Sequence, residues 1–431
     1  MLESVHLQLY WGYQWHTVAE FTPFADTLDI GYRAPGRLTY ATDYVTQHLN
    51  ATNNHAVSAA FPVDFTYYKT DHWPAFLLDI LPAGAGRRAF LNLNNLPDQG
   101  PKSDWFLLNT GTSSPPGNIR IQEAIRPENI STHPGFERTE IITRHTEFLE
   151  YARSHGAPVA GSTGAQGDAP KFLLTQDSQG KWHADGALAD ACAYQHFLVK
   201  FPRGNHPDDR LILRHEAIYY HIAAHLGLRV GEPLEWQIDT LFVPCFDRQI
   251  SPAGLIRHGL ESLCSLAGVA GFGQTIYLFQ QCNAFVPRVN NPTADLVEFL
   301  KRDIANIALG NTDNHARNQA VLKHENGEVL LSPFYDLAPM MFDPEGIVRL
   351  CRWEECEQHT PNWWQVIQRL QKTTWASAID WEKLTCELRR FKTLVAQIPT
   401  WLVDAQADQR VIDRVKPRIA NCLDILMQEK S

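Results

Sequence analysis

Asn326-Gly327 joins two short apolar runs, QAVLKH and EVLLSPF, in a C-terminal half whose periodicity is otherwise mainly helical. Asn-Gly, here preceded by Glu325, is the strongest short-range hairpin signal when it lies between apolar runs. Upstream, Leu296, Phe299, Leu300, Ile304 and Ile307 recur at helical spacing until Gly310 stops the helix, which makes the polar run Asn311 to Asn318 a loop. A hairpin at this place brings Asn318, at its entry, beside Asp336, at its exit, with Asp313 one loop away. Three oxygen-bearing side chains thus converge from 24 residues of sequence.

Carboxylate and amide oxygens suit a hard divalent cation such as Mg²⁺. Phosphoryl transfer from ATP needs an Asp that positions or deprotonates the acceptor hydroxyl, and an Asn and a second Asp that hold Mg²⁺ against the phosphates. In D-x-x-x-x-N, Asp313 is the expected base, Asn318 and Asp336 the expected metal ligands, and His315 the residue that supports the loop or faces the phosphates. Singly, each has a bland reading: a turn cap, a strand start, a surface loop residue. Their joint spacing favours the chemical one.

A kinase also needs a cation on the α/β-phosphates. Lys200 lies in the apolar strand Phe197-Leu198-Val199-Lys200-Phe201, where a lysine is expensive unless it meets an anion or snorkels out before Pro202. Period-2 alternation puts it on one face with Leu198, the floor of a nucleotide pocket. Glu216, read as a first-turn residue of the following helix, is its candidate partner. Upstream, Ser162, Thr163, Gly164, Ala165, Gln166 and Gly167 form a glycine-rich loop whose backbone N–H groups can approach phosphates, with Lys171 as a second cation. That loop matches neither G-x-x-x-x-G-K-[ST] nor G-x-G-x-x-G.

At 431 residues the chain is long enough for two or three lobes, and 44% apolar with 20% charged residues places it among folded globular proteins. GTSSPPGN (Gly111 to Asn118) reads as a surface connection after a module of about 110 residues. In that module PAFLLDILP reads as an apolar helix ended by GAGRRAF. The stretch ERTEIITRHTEFLEYARSHG reads as a helix, and HFLVKFP and PLEWQIDTLFVPCF as strands either side of LRHEAIYYHIAAHLGL, whose Ile218, Ile222 and Leu226 share a face above the C-terminal Gly227. A β-containing lobe therefore precedes an α-rich one. No internal repeat or low-complexity tract appears.

The net charge of −10 argues against coating nucleic acid, which needs clustered Lys and Arg. Without a signal-like start or an apolar run long enough to span a bilayer, the chain reads as cytoplasmic with no membrane partner. Eight cysteines without a CxxC pair read as reduced thiols, and Cys351 and Cys356 lack the second ligand pair a zinc site needs.

GNTDNHARN followed by SPFYDLAP, with HFLVKFP, HEAIYYHIAAHLGL and LFVPCFDRQ in order, resembles the HipA family of bacterial toxin kinases, which phosphorylate serine or threonine. The likeness covers roughly residues 158 to 345. It implies an α+β, bilobal protein-kinase-like fold: an N-terminal module (1–110), an N-lobe with glycine-rich loop and ATP lysine (111–247), and an α-helical C-lobe with catalytic loop and metal site (248–431). It implies ATP and Mg²⁺ as cofactors, a protein substrate bearing Ser or Thr, and Pro244, Cys245 and Phe246 at the adenine hinge. Relatives often work beside a small DNA-binding antitoxin, so DNA contact would be indirect. The family's glycine loop carries an autophosphorylated serine; here Ser162 and Thr163 are the candidates, in a loop with extra residues. D-x-H-x-x-N also resembles small-molecule phosphotransferases, a non-catalytic scaffold or corepressor is the non-enzymatic alternative, and His221 with His225 suggests a zinc hydrolase, although Tyr219 breaks H-E-x-x-H.

Overall fold

In the first strand, β1 (Val5–Trp11), Val5, Leu7 and Leu9 point inward and are fully buried while His6 and Gln8 face outward, so strict alternation makes it a half-buried sheet strand. β1 pairs antiparallel with β2 (Gln14–Pro23), with a register shift at Leu7/Gln8. β3 (Gly36–Tyr40), β4 (Tyr68–Thr70) and β5 (Ile119–Ile121) complete a five-stranded sheet of order β4-β3-β2-β1-β5. Its inner face packs on Trp73, Leu77, Ile80 and Leu107.

These strands come from a computed structural model that describes residues 4–125, 131–154 and 170–428. The chain divides into two compact units, one of Met1–Phe201, Phe242–Gln274 and Leu322–Val329, the other of Pro202–Leu241, Thr275–Val321 and Leu330–Ser431.

The first unit carries a second sheet in which β7 (Trp182–Ala184), β6 (Lys171–Asp177), β8 (Ala193–Lys200) and the strand Thr240–Pro244 are neighbours in that order. Phe172, Leu174, Phe197 and Val199 share one face and pack with Trp182, Phe242 and Phe148. The other face of β6 and β8 pairs Leu173 with Leu198 and Lys171 with Lys200.

The second unit is helical, with helices at Pro207–His225, Leu278–Phe285, Pro292–Leu309, Trp363–Leu370, Trp381–Val395, Ile398–Asp404 and Gln409–Met427. Gly227, at φ +69, follows the first of them and ends it as expected.

Several sequence expectations need correction. GTSSPPGN is no surface linker: Thr112, Gly117 and Asn118 are buried. Asp247 accepts from the Gly117 N–H at 2.6 Å, and Arg248 donates to the Pro115 carbonyl at 3.0 Å, so the Phe-Asp-Arg element pins the stretch in place. Apolar packing around PAFLLDILP leaves only Leu77–Ile80 helical, and Gly84 starts the next helix, Gly84–Leu93. ERTEIITRHTEFLEYARS is two helices, Arg138–Ile142 and Thr146–Ser154, separated at Arg144, which takes φ +54. The strand read across PLEWQIDTLFVPCF is split by a turn at Ile238 and Asp239, both at positive φ, into Glu235–Gln237 and Thr240–Pro244. Without glycine or proline there, nothing in the sequence marked it.

Candidate active site

The helix Pro292–Leu309 ends in a left-handed Gly310 (φ +70), where a Cβ would meet the Met341 sulfur at 2.4 Å. The left-handed φ favours glycine at the point where the chain leaves the helix, and the loop Asn311 to Asn318 follows as expected. The Tyr219 hydroxyl donates to the Leu309 carbonyl at 2.9 Å and holds the helix end.

Within the loop Asn311 works as a relay. Its Nδ2 donates to Asn306 Oδ1 at 2.8 Å and to the Asp336 carbonyl at 3.3 Å, while its Oδ1 accepts from the Asp313 N–H at 3.3 Å. Asn318 Nδ2 donates to the Asp313 carbonyl at 2.9 Å, and its N–H to the His315 carbonyl at 2.9 Å. The Tyr335 hydroxyl donates to the Arg317 carbonyl at 2.8 Å. Asp313, Asn318 and Asp336 are thereby tied into one hydrogen-bonded cluster within the second unit.

Three features of this cluster bear on chemistry. Asn318 Oδ1, like Asn314 Oδ1 in the same loop, is buried and accepts no hydrogen bond. Asp336 holds φ +54, a left-handed conformation that L side chains rarely adopt and that concentrates at functional positions. His315 Nδ1 accepts from the Arg317 N–H at 3.3 Å, which leaves the proton on Nε2, 3.9 Å from Asp313 Oδ1.

The hairpin forms where Asn326-Gly327 marks it, with strands Ala320–Lys323 and Val329–Leu331; of the pair Gly327 alone takes positive φ, at +88, and its N–H donates to the His324 carbonyl at 2.9 Å. The ladder alone does not deliver Asp336, which lies five residues beyond the second strand. Arg302, fully buried in the helix Pro292–Leu309, does much of that positioning. Its Nε donates to Glu298 at 2.7 Å, Nη1 to Gln319 Oε1 at 3.3 Å and Nη2 to the Ser332 carbonyl at 2.6 Å, so one guanidinium clamps both ends of the hairpin. Sequence reading missed Arg302, Asn306 and Asn311. The signal for Arg302 was a charge inside an apolar helix stripe; the two asparagines carried none.

The remaining sequence candidates fall elsewhere. In the first unit, Lys200 is buried and directly opposite Lys171 across the β6–β8 pair, on the face shared with Leu198. Like charges directly opposite each other across strands disfavour the pairing. Cys245 donates its N–H to the His196 carbonyl at 2.9 Å, and Pro244 has none, so any backbone donor from this stretch to a base must be Phe246. In the second unit, Glu216 is buried but is not a first-turn residue: the helix begins at Pro207, and Asp208 and Asp209 occupy its first turn. His221 and His225 share an Nε2···Nε2 contact of 2.9 Å, with His225 stacked on Trp401. Ser162, Thr163, Gly164, Ala165, Gln166 and Gly167 lie outside the described residues.

Comparisons with known proteins identify one family model, a relative and two solved structures. The model of the HipA-like C-terminal domain matches residues 163–401. A Sinorhizobium fredii protein named "Putative kinase Y4mE" is 29% identical over 196 residues, which span 42% of this chain and 43% of that relative. The match therefore covers less than half of the relative's length. Among solved structures, the Shewanella oneidensis HipA, HipB and operator DNA complex aligns with a TM-score of 0.68 at 16% identity, covering 99% of this chain and 100% of that one. The Helicobacter pylori proinflammatory kinase CtkA aligns over 54% of this chain and 89% of its own at a TM-score of 0.36 and 16% identity, too low a score to carry weight. Together with the mixed sheets and helices, the full-length alignment identifies an α+β, kinase-like fold of HipA type.

Proposed function

This chain belongs to the family of the HipA-like C-terminal domain, and on that premise we propose that it is an ATP- and Mg²⁺-dependent serine/threonine protein kinase, the toxin of a type II toxin–antitoxin system. The observation that carries the reading is the buried, unpartnered Asn318 Oδ1 on the loop that also holds Asp313, in a cluster that includes Asp336. A divalent cation is the group such an acceptor lacks, and Mg²⁺ is commonly held by one or two protein oxygens together with phosphates and water. Asn318 and Asp336 would hold it; bound with ATP, it supplies neutralisation of phosphate charge.

Asp313 is the residue to orient and deprotonate the acceptor hydroxyl. Its N–H is anchored by Asn311 and its carbonyl by Asn318, which fixes the backbone that carries the carboxylate. His315 Nε2 lies 3.9 Å from that carboxylate. Lys200, with Lys171 opposite, is suited to phosphate charge. A small DNA-binding antitoxin is the proposed partner, by likeness to a HipA solved with HipB and operator DNA, and DNA contact would pass through it.

The test is phosphate transfer from labelled ATP in a lysate of the parent cell. Wild type should label protein on Ser or Thr, and Asp313→Ala should still bind Mg-ATP while transfer falls about 10²–10⁴-fold. Equal transfer by Asp313→Ala would remove the base assignment; labelling of sugars or drugs but no protein would remove the protein-kinase reading.

A further inference from the structure

The turn that opens the Asp313 loop also walls a cavity of about 560 Å³ within the second unit, closed on other sides by the segment 349–360 and the helix Gln409–Met427. Its lining holds four arginines, Arg349, Arg352, Arg414 and Arg418, against one carboxylate, Glu357. That carboxylate is already engaged, accepting from Arg349 Nε at 2.8 Å and from the Trp353 N–H at 3.1 Å. Arg349 is further held by Asp303 at 2.7 Å, yet its Nη1 is buried with no acceptor. Arg414 is fixed by one bond to the Met341 carbonyl at 3.1 Å and lies 4.8 Å over the Phe342 ring. The Thr312 hydroxyl, at the wall, is also buried without a partner.

In a chain of net charge −10, three arginines around one hollow, with no carboxylate left for them among the described lining residues, concentrate positive charge that attracts an anion. The guanidinium fork pairs bidentately with phosphate oxygens, and an unpartnered hydroxyl beside it adds a donor. The volume falls within the range of small-molecule sites and exceeds what a single orthophosphate fills. We propose that this cavity binds a small phosphorylated molecule with two or more phosphate charges, at a site distinct from Asp313, Asn318 and Asp336. Because Asn311 and Thr312 belong both to the cavity wall and to the loop that carries Asp313, an occupant there touches the support of the catalytic loop. The inference does not rest on Asp313 being the base.

Calorimetric titration with inorganic pyrophosphate, without Mg²⁺, tests it on the full chain. Wild type should bind, the double variant Arg414→Gln/Arg418→Gln should bind at least tenfold more weakly, and Lys200→Gln should bind as wild type does. Should the double variant melt early, Arg352→Gln, an exposed side chain whose Nε donates to the Arg349 carbonyl at 3.4 Å, serves for the same comparison. Absence of binding by wild type, equal affinity in the arginine variants, or loss in Lys200→Gln overturns the proposal.

Discussion

An amide oxygen buried without a donor costs about 1–3 kcal/mol, and Asn318 bears that cost at a residue whose nitrogen is well satisfied by the Asp313 carbonyl. In the proposed reading that oxygen is the one a cation would engage. Asn318→Ala should therefore fold normally and lose Mg²⁺ affinity in the presence of ATP by about ten- to a hundredfold, the scale seen when groups that support a metal site are removed; a Mg²⁺ titration followed by nucleotide fluorescence reads it, and unchanged affinity would exclude Asn318 as a ligand. Arg302 presents the opposite case, a buried charge with each of its three donor nitrogens engaged. Arg302→Met leaves Glu298 buried without its partner, a change that costs about 3–5 kcal/mol in such pairs. Chemical denaturation should show that loss, and Arg302→Lys, which keeps the charge but cannot reach Gln319 and Ser332 together, should regain part of the stability and little of the transfer activity.

At the scale of elements the hairpin is the organising piece, and its turn can be probed alone. Gly327 sits at φ +88, and a Cβ there would lie 3.0 Å from Asn53 Nδ2. Gly327→Val should destabilise by about 1–2 kcal/mol, the cost of forcing an L residue into left-handed backbone, whereas Gly327→Asn should cost less, since asparagine visits that region. Equal denaturation midpoints for wild type and Gly327→Val would show that the turn is not under this constraint. The tip is also anchored in the first unit: Glu325 Oε1 accepts from the Gly12 N–H at 3.1 Å, and Lys323 donates to the Ala56 carbonyl at 3.1 Å. The hairpin was legible because Asn-Gly and flanking apolar runs are local signals with a physical cause. So were the loop after Gly310 and the strands around Lys171 and Lys200, written in glycine and in period-2 burial. What could not be read depended on partners distant in sequence. Asn311 reaches Asp336 across 25 residues and Arg302 reaches Ser332 across 30, and no local pattern encodes such bonds. The turn at Ile238 and Asp239 and the break at Arg144 place non-glycine residues at positive φ, which propensity argues against and tertiary packing imposes.

For the whole molecule, histidines depressed by burial make acid a destabilising condition, and two of them show the largest effect. Burial, then the neighbouring His48 and His16, pushes His55 down to about 4, and burial with His324, against an opposing Asp247, does the same to His258. Both lie in the first unit. A histidine whose folded value is depressed binds fewer protons folded than unfolded between that value and its ordinary one near 6.5. Unfolding then takes up protons, and stability falls as pH drops from about 6.5 towards 4. Asp185, raised by burial but more strongly lowered by Arg248 and His196, adds to the acid loss only below the ordinary carboxylate range near 3.8. Asp104 opposes it at the acid end, because burial holds its carboxyl above the usual value despite Arg87. Between pH 6.5 and 5 the histidines should dominate, so the urea midpoint should fall across that interval and stay nearly level from 7 to 8. The double variant His55→Gln/His258→Gln keeps polar side chains but removes both titrations, and should flatten the lower part of the curve. A slope that survives unchanged in that variant would place the acid sensitivity elsewhere in the chain.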